Sequence, residues 1–128
     1  MEILAAAILN SNCSVTASFS LIEDEKRLTE IPKGMQVGLA VKDSHGKNVR
    51  LLGLTHNTFN KKITDFDTKE YRIIAPKDKS THFTVMFKNL TPAVKYTVEI
   101  YILDMESGNK FASSNINVTT AQIAKSRI

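Results

Sequence analysis

Tyr96-Thr97-Val98-Glu99-Ile100-Tyr101-Ile102-Leu103 is the stretch on which the reading of the fold turns. Tyr96, Val98, Ile100 and Ile102 recur at every second residue, with Thr97, Glu99, Tyr101 and Leu103 between them. Successive side chains of a strand point to opposite faces, so this period sends one set toward a core. A helix needs apolar residues at steps of three and four, and the stretch has no such pattern. It reads as a strand.

Outward from it the same period returns three times. Val15, Ala17, Phe19 and Leu21 alternate with Thr16, Ser18 and Ser20; Met35, Val37, Leu39 and Val41 alternate with Gln36, Gly38, Ala40 and Lys42. Phe83, Val85 and Phe87 alternate with Thr84, Met86 and Lys88. Fainter candidates are a buried strand at 49–55, charged edge strands at 61–66 and 70–75, and a closing strand at 111–119. Turn residues punctuate them at Pro32-Lys33-Gly34, Asp43-Ser44-His45-Gly46, Pro76-Lys77-Asp78 and Ser107-Gly108-Asn109. Residues 23–30 are the expected place for a short helical turn or a long strand connection. The pattern predicts an all-β, antiparallel two-sheet sandwich of seven or eight strands.

The chain has 128 residues, 42% of them hydrophobic and 23% charged, enough for one core in one domain. Cys13 is the single cysteine, so packing and not a disulfide must hold the sheets. The net charge of +4 is scattered, with a doublet at Lys61-Lys62 and basic residues Lys125 and Arg127 near the end. Nucleic-acid binders concentrate such charge in a stripe, so no nucleic-acid partner is expected. The opening MEILAAAIL has Glu2 as its only charge, where a secretory signal carries a positive start. It also falls short of the ~20 apolar residues that span a bilayer, so no membrane span is expected. Residues 1–12 are expected to form an apolar arm or an extra strand, 13–120 the sandwich, and 121–128 a basic tail.

Leu90 is followed by x-Pro at Pro92, and Tyr96 opens the next strand four residues later; the last strand candidate ends Asn115-Ile116-Asn117-Val118-Thr119-Thr120. On these residues the chain from His82 onward resembles the second half of a fibronectin type III domain, with its closing segment and terminal Thr-Thr. The resemblance covers residues 82–120 and implies an immunoglobulin/fibronectin III-like sandwich. In it Leu90 plugs the core, Pro92 fixes the turn, and the Tyr96 hydroxyl ties back to the upstream backbone as a tyrosine corner. The first half departs from the family: there is no Trp for its usual core position, where Phe19 or Leu39 is expected instead, and no Arg-Gly-Asp.

Chemistry-bearing patterns are sparse. His45, His56 and His82 stand at no metal-ligand spacing from one another or from Cys13. Asp65-Phe66-Asp67 is similar to the start of a calcium loop but continues without the Gly and distant Glu. Glu23-Asp24-Glu25 before Lys26-Arg27 reads as a self-compensating charge cluster, and no glycine-rich phosphate loop or nucleophile elbow is present. Sequons stand at Asn12, Asn89 and Asn117. No catalytic, cofactor-binding or metal residue, and no cofactor, is therefore expected.

Such a chain is expected to act as a non-catalytic structural or interaction module through loops and strand edges. Its apolar start and basic end read as docking arms. They point to a subunit of a larger particle, such as a bacteriophage capsid decoration or tail-associated virion protein assembled in the host cytoplasm. The expected partners are proteins: copies of itself or a larger assembly. The alternative is an adhesion or receptor-binding module of an extracellular multidomain protein.

Overall fold

The computed structural model describes residues 1–9, 13–56, 66–74 and 80–120. They form ten strands: β1 (Glu2–Leu9), β2 (Val15–Glu23), β3 (Lys26–Arg27), β4 (Met35–Lys42), β5 (Asn48–Thr55), β6 (Phe66–Asp67), β7 (Tyr71–Ile74), β8 (Phe83–Phe87), β9 (Lys95–Asp104) and β10 (Lys110–Thr119). Eight of these run four residues or longer, while β3 and β6 are two-residue pairings. One sheet has the order β1-β2-β8-β7-β6 with β3 added beside β2, and the other the order β10-β9-β4-β5. Every pairing is antiparallel. The chain is thus an all-β, two-sheet antiparallel sandwich.

Register delivers the alternation of the sequence to one core. Val15, Ala17 and Phe19 of β2 face Phe87, Val85 and Phe83 of β8. In the second sheet Val37, Leu39 and Val41 of β4 face Ile102, Ile100 and Val98 of β9. All twelve are buried, and Phe19 stacks on Phe83 with ring centroids 5.3 Å apart. Phe19 and Leu39, the residues expected at the family's core Trp position, both lie in this core, one in each sheet. Removing each of the larger side chains from water contributes ~1.5–3 kcal/mol, which lets packing hold a domain without a disulfide.

Residues 23–30 hold neither a helical turn nor one long connection. Asp24 and Glu25 take φ of 51° and 64°, the two left-handed positions of a tight hairpin, and Glu23 pairs with Lys26 across it. The sequence signal was weak because Asp-Glu lacks the Gly that usually marks such a turn. Lys33-Gly34 makes a conventional turn, Gly34 at φ 80° and Met35 N–H donating to the Pro32 carbonyl at 3.2 Å. The edge strand expected at 61–66 lies outside the described residues except for Phe66, which opens β6. The turn at Pro76-Lys77-Asp78, the doublet Lys61-Lys62 and the tail 121–128 also lie outside them.

Ala40, expected to point outward, is buried although it stands on the outer face of its sheet. That face is flattened by Gly38 and Gly53, which sit opposite each other in β4 and β5. The Tyr101 ring occupies the space a Cβ on Gly38 would need, and Gln36 covers Gly53 in the same way. Gly38→Ala must expel the ring and should cost roughly 1–3 kcal/mol. In a Tyr101→Ala background the same change should cost much less, a difference that urea denaturation of the double-mutant cycle measures.

Candidate functional site

The corner between β8 and β9 gathers the residues that carry the family resemblance. Leu90 is 5% exposed, and its N–H donates to the Cys13 carbonyl at 2.7 Å, fastening the corner to the head of β2. Pro92 is half-buried at the tip of the turn. The Tyr96 hydroxyl accepts the Thr91 N–H at 2.9 Å. Asn89 and Ala93 flank the turn at φ 56° and 57°; Asn tolerates this conformation, whereas Ala adopts it at a cost.

Thr120 completes the corner, and reasoning from sequence gave it no role beyond the closing Thr-Thr. It is 2% exposed, donates its hydroxyl to the Thr91 carbonyl at 2.7 Å and accepts the Val94 N–H at 3.0 Å. Its own N–H donates to the Val94 carbonyl at 3.0 Å. Two side chains, Tyr96 in β9 and Thr120 just past β10, therefore satisfy a four-residue turn that has no ladder of its own. The signal in sequence was a threonine placed just after the last alternating residue.

Arg50 was also missed. From β5, at the rim of one sheet, its guanidinium donates to the Lys88 carbonyl at 2.9 Å, to Asn89 at 3.2 Å and to Glu70 at 3.3 Å. It also pairs with the Glu70 carboxylate at 3.7 Å. A planar, multi-donor cation suits this bridge between the two sheets. The hint was a lone arginine inside an otherwise apolar strand.

On the outer face of the second sheet Glu99 lies between Lys42 and Lys110, each at 3.5 Å, with Ser113 donating at 3.3 Å. Lys110 also sits 4.2 Å from the centre of the Tyr101 ring. Partial burial pushes the Glu99 carboxyl upward, but Lys110 and Lys42 together win and hold it below the usual glutamate range. Asp43 is likewise held low, chiefly by the Lys47 N–H it accepts at 3.0 Å in the β4–β5 turn.

The other singled-out residues are not brought together. His45 and His82 are exposed in separate loops, and the half-buried His56 has Nδ1 2.9 Å from the Ile31 carbonyl. Cys13 is half-buried beside the corner. Asp67 pairs with Lys88, and Asp65 lies outside the described residues. Among the described residues no three His, Cys, Asp or Glu side chains are placed to hold a metal ion. The Asn89 amide donates to the Lys69 carbonyl at 2.6 Å, Asn117 is exposed on β10, and Asn12 lies outside the described residues.

What the molecule presents instead are sheet edges. Among the described residues β1 has a hydrogen-bonded neighbour only in β2, and β10 only in β9, and the two strands lie against each other at one side of the sandwich. On β1 the residues Met1, Ile3, Ala5 and Ala7 pack toward the core, while Glu2, Leu4 and Ala6 are exposed. No helix among the described residues is long and apolar enough to cross a membrane.

No family model matches this chain, and no curated protein matches it in sequence. Among solved structures it is similar to astrotactin-2, a vertebrate-specific, perforin-like membrane protein involved in neuronal development. The TM-score is 0.61 at 14% identity, covering 96% of this chain and 22% of that one. The chain thus spans about a fifth of that protein's length, and at this identity the likeness is one of fold. A superposition on MtrC from Shewanella baltica reaches a TM-score of 0.46 at 12% identity, over 99% of this chain and 24% of the other. The strand pairing above and the likeness in fold to astrotactin-2 define the class: a small all-β domain of two antiparallel sheets.

Thr120→Val leaves the Val94 N–H and the Thr91 carbonyl without the hydroxyl and should destabilise by roughly 1–3 kcal/mol. Tyr96→Phe should lose roughly 0.5–1.5 kcal/mol, and Thr120→Ser should recover most of the Thr120→Val loss in chemical denaturation. For Glu99, a folded-state pKa below the unfolded one means its stabilisation is present above the ordinary value of ~4.3 and is lost as pH falls through the folded value. The stability gap between wild type and Glu99→Gln should therefore close on acidification, as thermal unfolding between neutral and acid pH will record.

Proposed function

We propose that this domain is an immunoglobulin/fibronectin III-like sandwich that works as a non-catalytic structural module. In this reading it is a subunit of a larger protein particle, such as a bacteriophage capsid decoration or tail-associated virion protein, assembled in the host cytoplasm. The observation that carries it is the pair of end strands, β1 and β10, which lie together on one side of the sandwich and each have one hydrogen-bonded neighbour among the described residues. An open edge offers a row of N–H and C=O groups to an incoming strand, and a module without such a use normally guards it with charge, proline or a bulge. Between Ile3 and Leu9 β1 has none of the first two. The strand order and the Tyr96–Thr91 hydrogen bond support the immunoglobulin/fibronectin III-like likeness.

An adhesion or receptor-binding module is the second reading, favoured by the coverage of about a fifth of a longer membrane protein by this fold. The two differ in where the chain resides. The source should be fractionated on a density gradient and the chain quantified by mass spectrometry. Recovery in heavy particles at a fixed ratio to other particle proteins is the expected result. Recovery with cell envelopes as part of a longer polypeptide would transfer the assignment to adhesion, and recovery only as a free light species would overturn both.

A further inference from the structure

We propose that a cleft at one end of the sandwich binds the soft monovalent metal ion Cu(I), through the Met35 and Met105 thioethers and the His56 imidazole. The cleft has a volume of about 320 Å³ and is lined by Lys33, Gly34, Met35, Thr55, His56 and Met105. It lies where β4 begins and β9 ends, far along both strands from the β8–β9 corner. A metal site here goes beyond the reading of the domain as a structural module and stands apart from it.

Backbone register brings the three donors together. Gln36 pairs with Thr55 at the end of the β4–β5 ladder, so one step further the register sets His56 opposite Met35. On the other side of β4, Met35 pairs with Asp104, and Met105 follows directly in the chain. The Met105 N–H donates to the Gly34 carbonyl at 3.0 Å, which holds its turn against the residue before Met35. Met35 is partly buried against the core and Met105 is 54% exposed, so one thioether belongs to the floor of the cleft and the other to its rim. The His56 ring has Nδ1 2.9 Å from the Ile31 carbonyl. A carbonyl only accepts, so Nδ1 carries the proton and Nε2 keeps the lone pair that a metal needs. Metal-ligating histidines are commonly oriented in this way, by a backbone carbonyl on the other ring nitrogen.

The donor set selects the ion. Thioethers and a neutral imidazole bring no negative charge, and Lys33 adds a positive one to the lining. Structural Zn²⁺ is held by thiolate, imidazole and carboxylate, and Ca²⁺ and Mg²⁺ take oxygen ligands. No carboxylate lines the cleft among the described residues. The nearby Asp104 has Oδ1 accepting the Glu106 N–H of its own turn at 2.9 Å. Soft thioether ligands favour Cu(I), and imidazole is a good copper ligand as well. A single charge is also repelled less by Lys33 than a double one. Gap-filling would account for Met35, but not for an exposed thioether and a tautomer-locked imidazole beside it.

The test is anaerobic titration of the full chain with Cu(I) supplied on the chromogenic chelator bicinchoninate. A Cys13→Ser background removes the lone thiol, which lies at the β8–β9 corner and would compete for the ion. The chain should withdraw Cu(I) to a single equivalent. Met105→Leu keeps the apolar volume at an exposed position and should weaken uptake at least ~10-fold, with the fold checked by circular dichroism. His56→Gln should weaken it likewise. In the wild-type chain Ag(I), a redox-inert stand-in, should shift the methyl NMR signals of Met35 and Met105 and leave those of Met1 and Met86 in place. No withdrawal of Cu(I), a Met105→Leu chain that binds as tightly as its parent, or equal Ag(I) shifts at all methionines would overturn the proposal. None of these touches the gradient experiment, which reads where the chain resides and not what it binds.

Discussion

Interdigitation of two inner faces, with no covalent link between them, is the constraint on which the rest of this molecule depends. Phe19, Phe83 and Phe87 of one sheet and Leu39, Ile100 and Ile102 of the other are all buried. Apolar burial is non-directional and fixes the distance between sheets better than it fixes their lateral position. Directional bonds at the ends of the sandwich supply what packing does not. Arg50 bridges one end through the Lys88 and Asn89 carbonyls, and Leu90 ties to Cys13 in the adjoining corner. Both act on the β8–β9 connection, the last of the chain's crossings between the sheets.

That crossing explains why buried polar groups occur where they do. A turn between sheets cannot use ladder bonds, so its amides and carbonyls need side-chain partners or water. Tyr96 and Thr120 supply them from strands that are themselves fixed by burial, Tyr96 facing inward beside Val98 and Thr120 just past the last residue of β10. Ser20 does a similar task toward the far end of β2, donating to the Thr81 carbonyl at 2.8 Å while its hydroxyl accepts from Arg27 at 3.3 Å. Among the described residues no buried side-chain polar atom is left without a partner.

Period-two patterning was enough to read β2, β4, β8 and β9 because each buries one face against a core built from many neighbours. The β2–β3 hairpin escaped, since its left-handed residues are Asp24 and Glu25 and their conformation is enforced by the strands on either side. Arg50 and Thr120 escaped for a different reason. Their partners lie 38 and 29 residues away in sequence, and a long-range hydrogen bond leaves no local period. Tyr96 and Leu90 could be singled out only because their spacing around Pro92 resembles a known corner.

The edges show how the same physics separates stability from association. β6 ends its sheet with two residues, too short to template a partner, and Asp67 there pairs with Lys88. β5 ends the other sheet with Arg50 folded across to the Lys88 and Asn89 carbonyls just past β8, while Leu51 stays 64% exposed. Charge or brevity thus blunts this side of the sandwich. At the opposite side β1 runs eight residues with no charge after Glu2. Its inner residues complete the core, so the strand cannot be made polar on that face without loss of packing. The outer face is under no such demand, yet it carries Leu4 and Ala6 where lysine or glutamate would keep copies apart. What stands beside this uncharged strand is β10, the end strand of the other sheet, which lies against it.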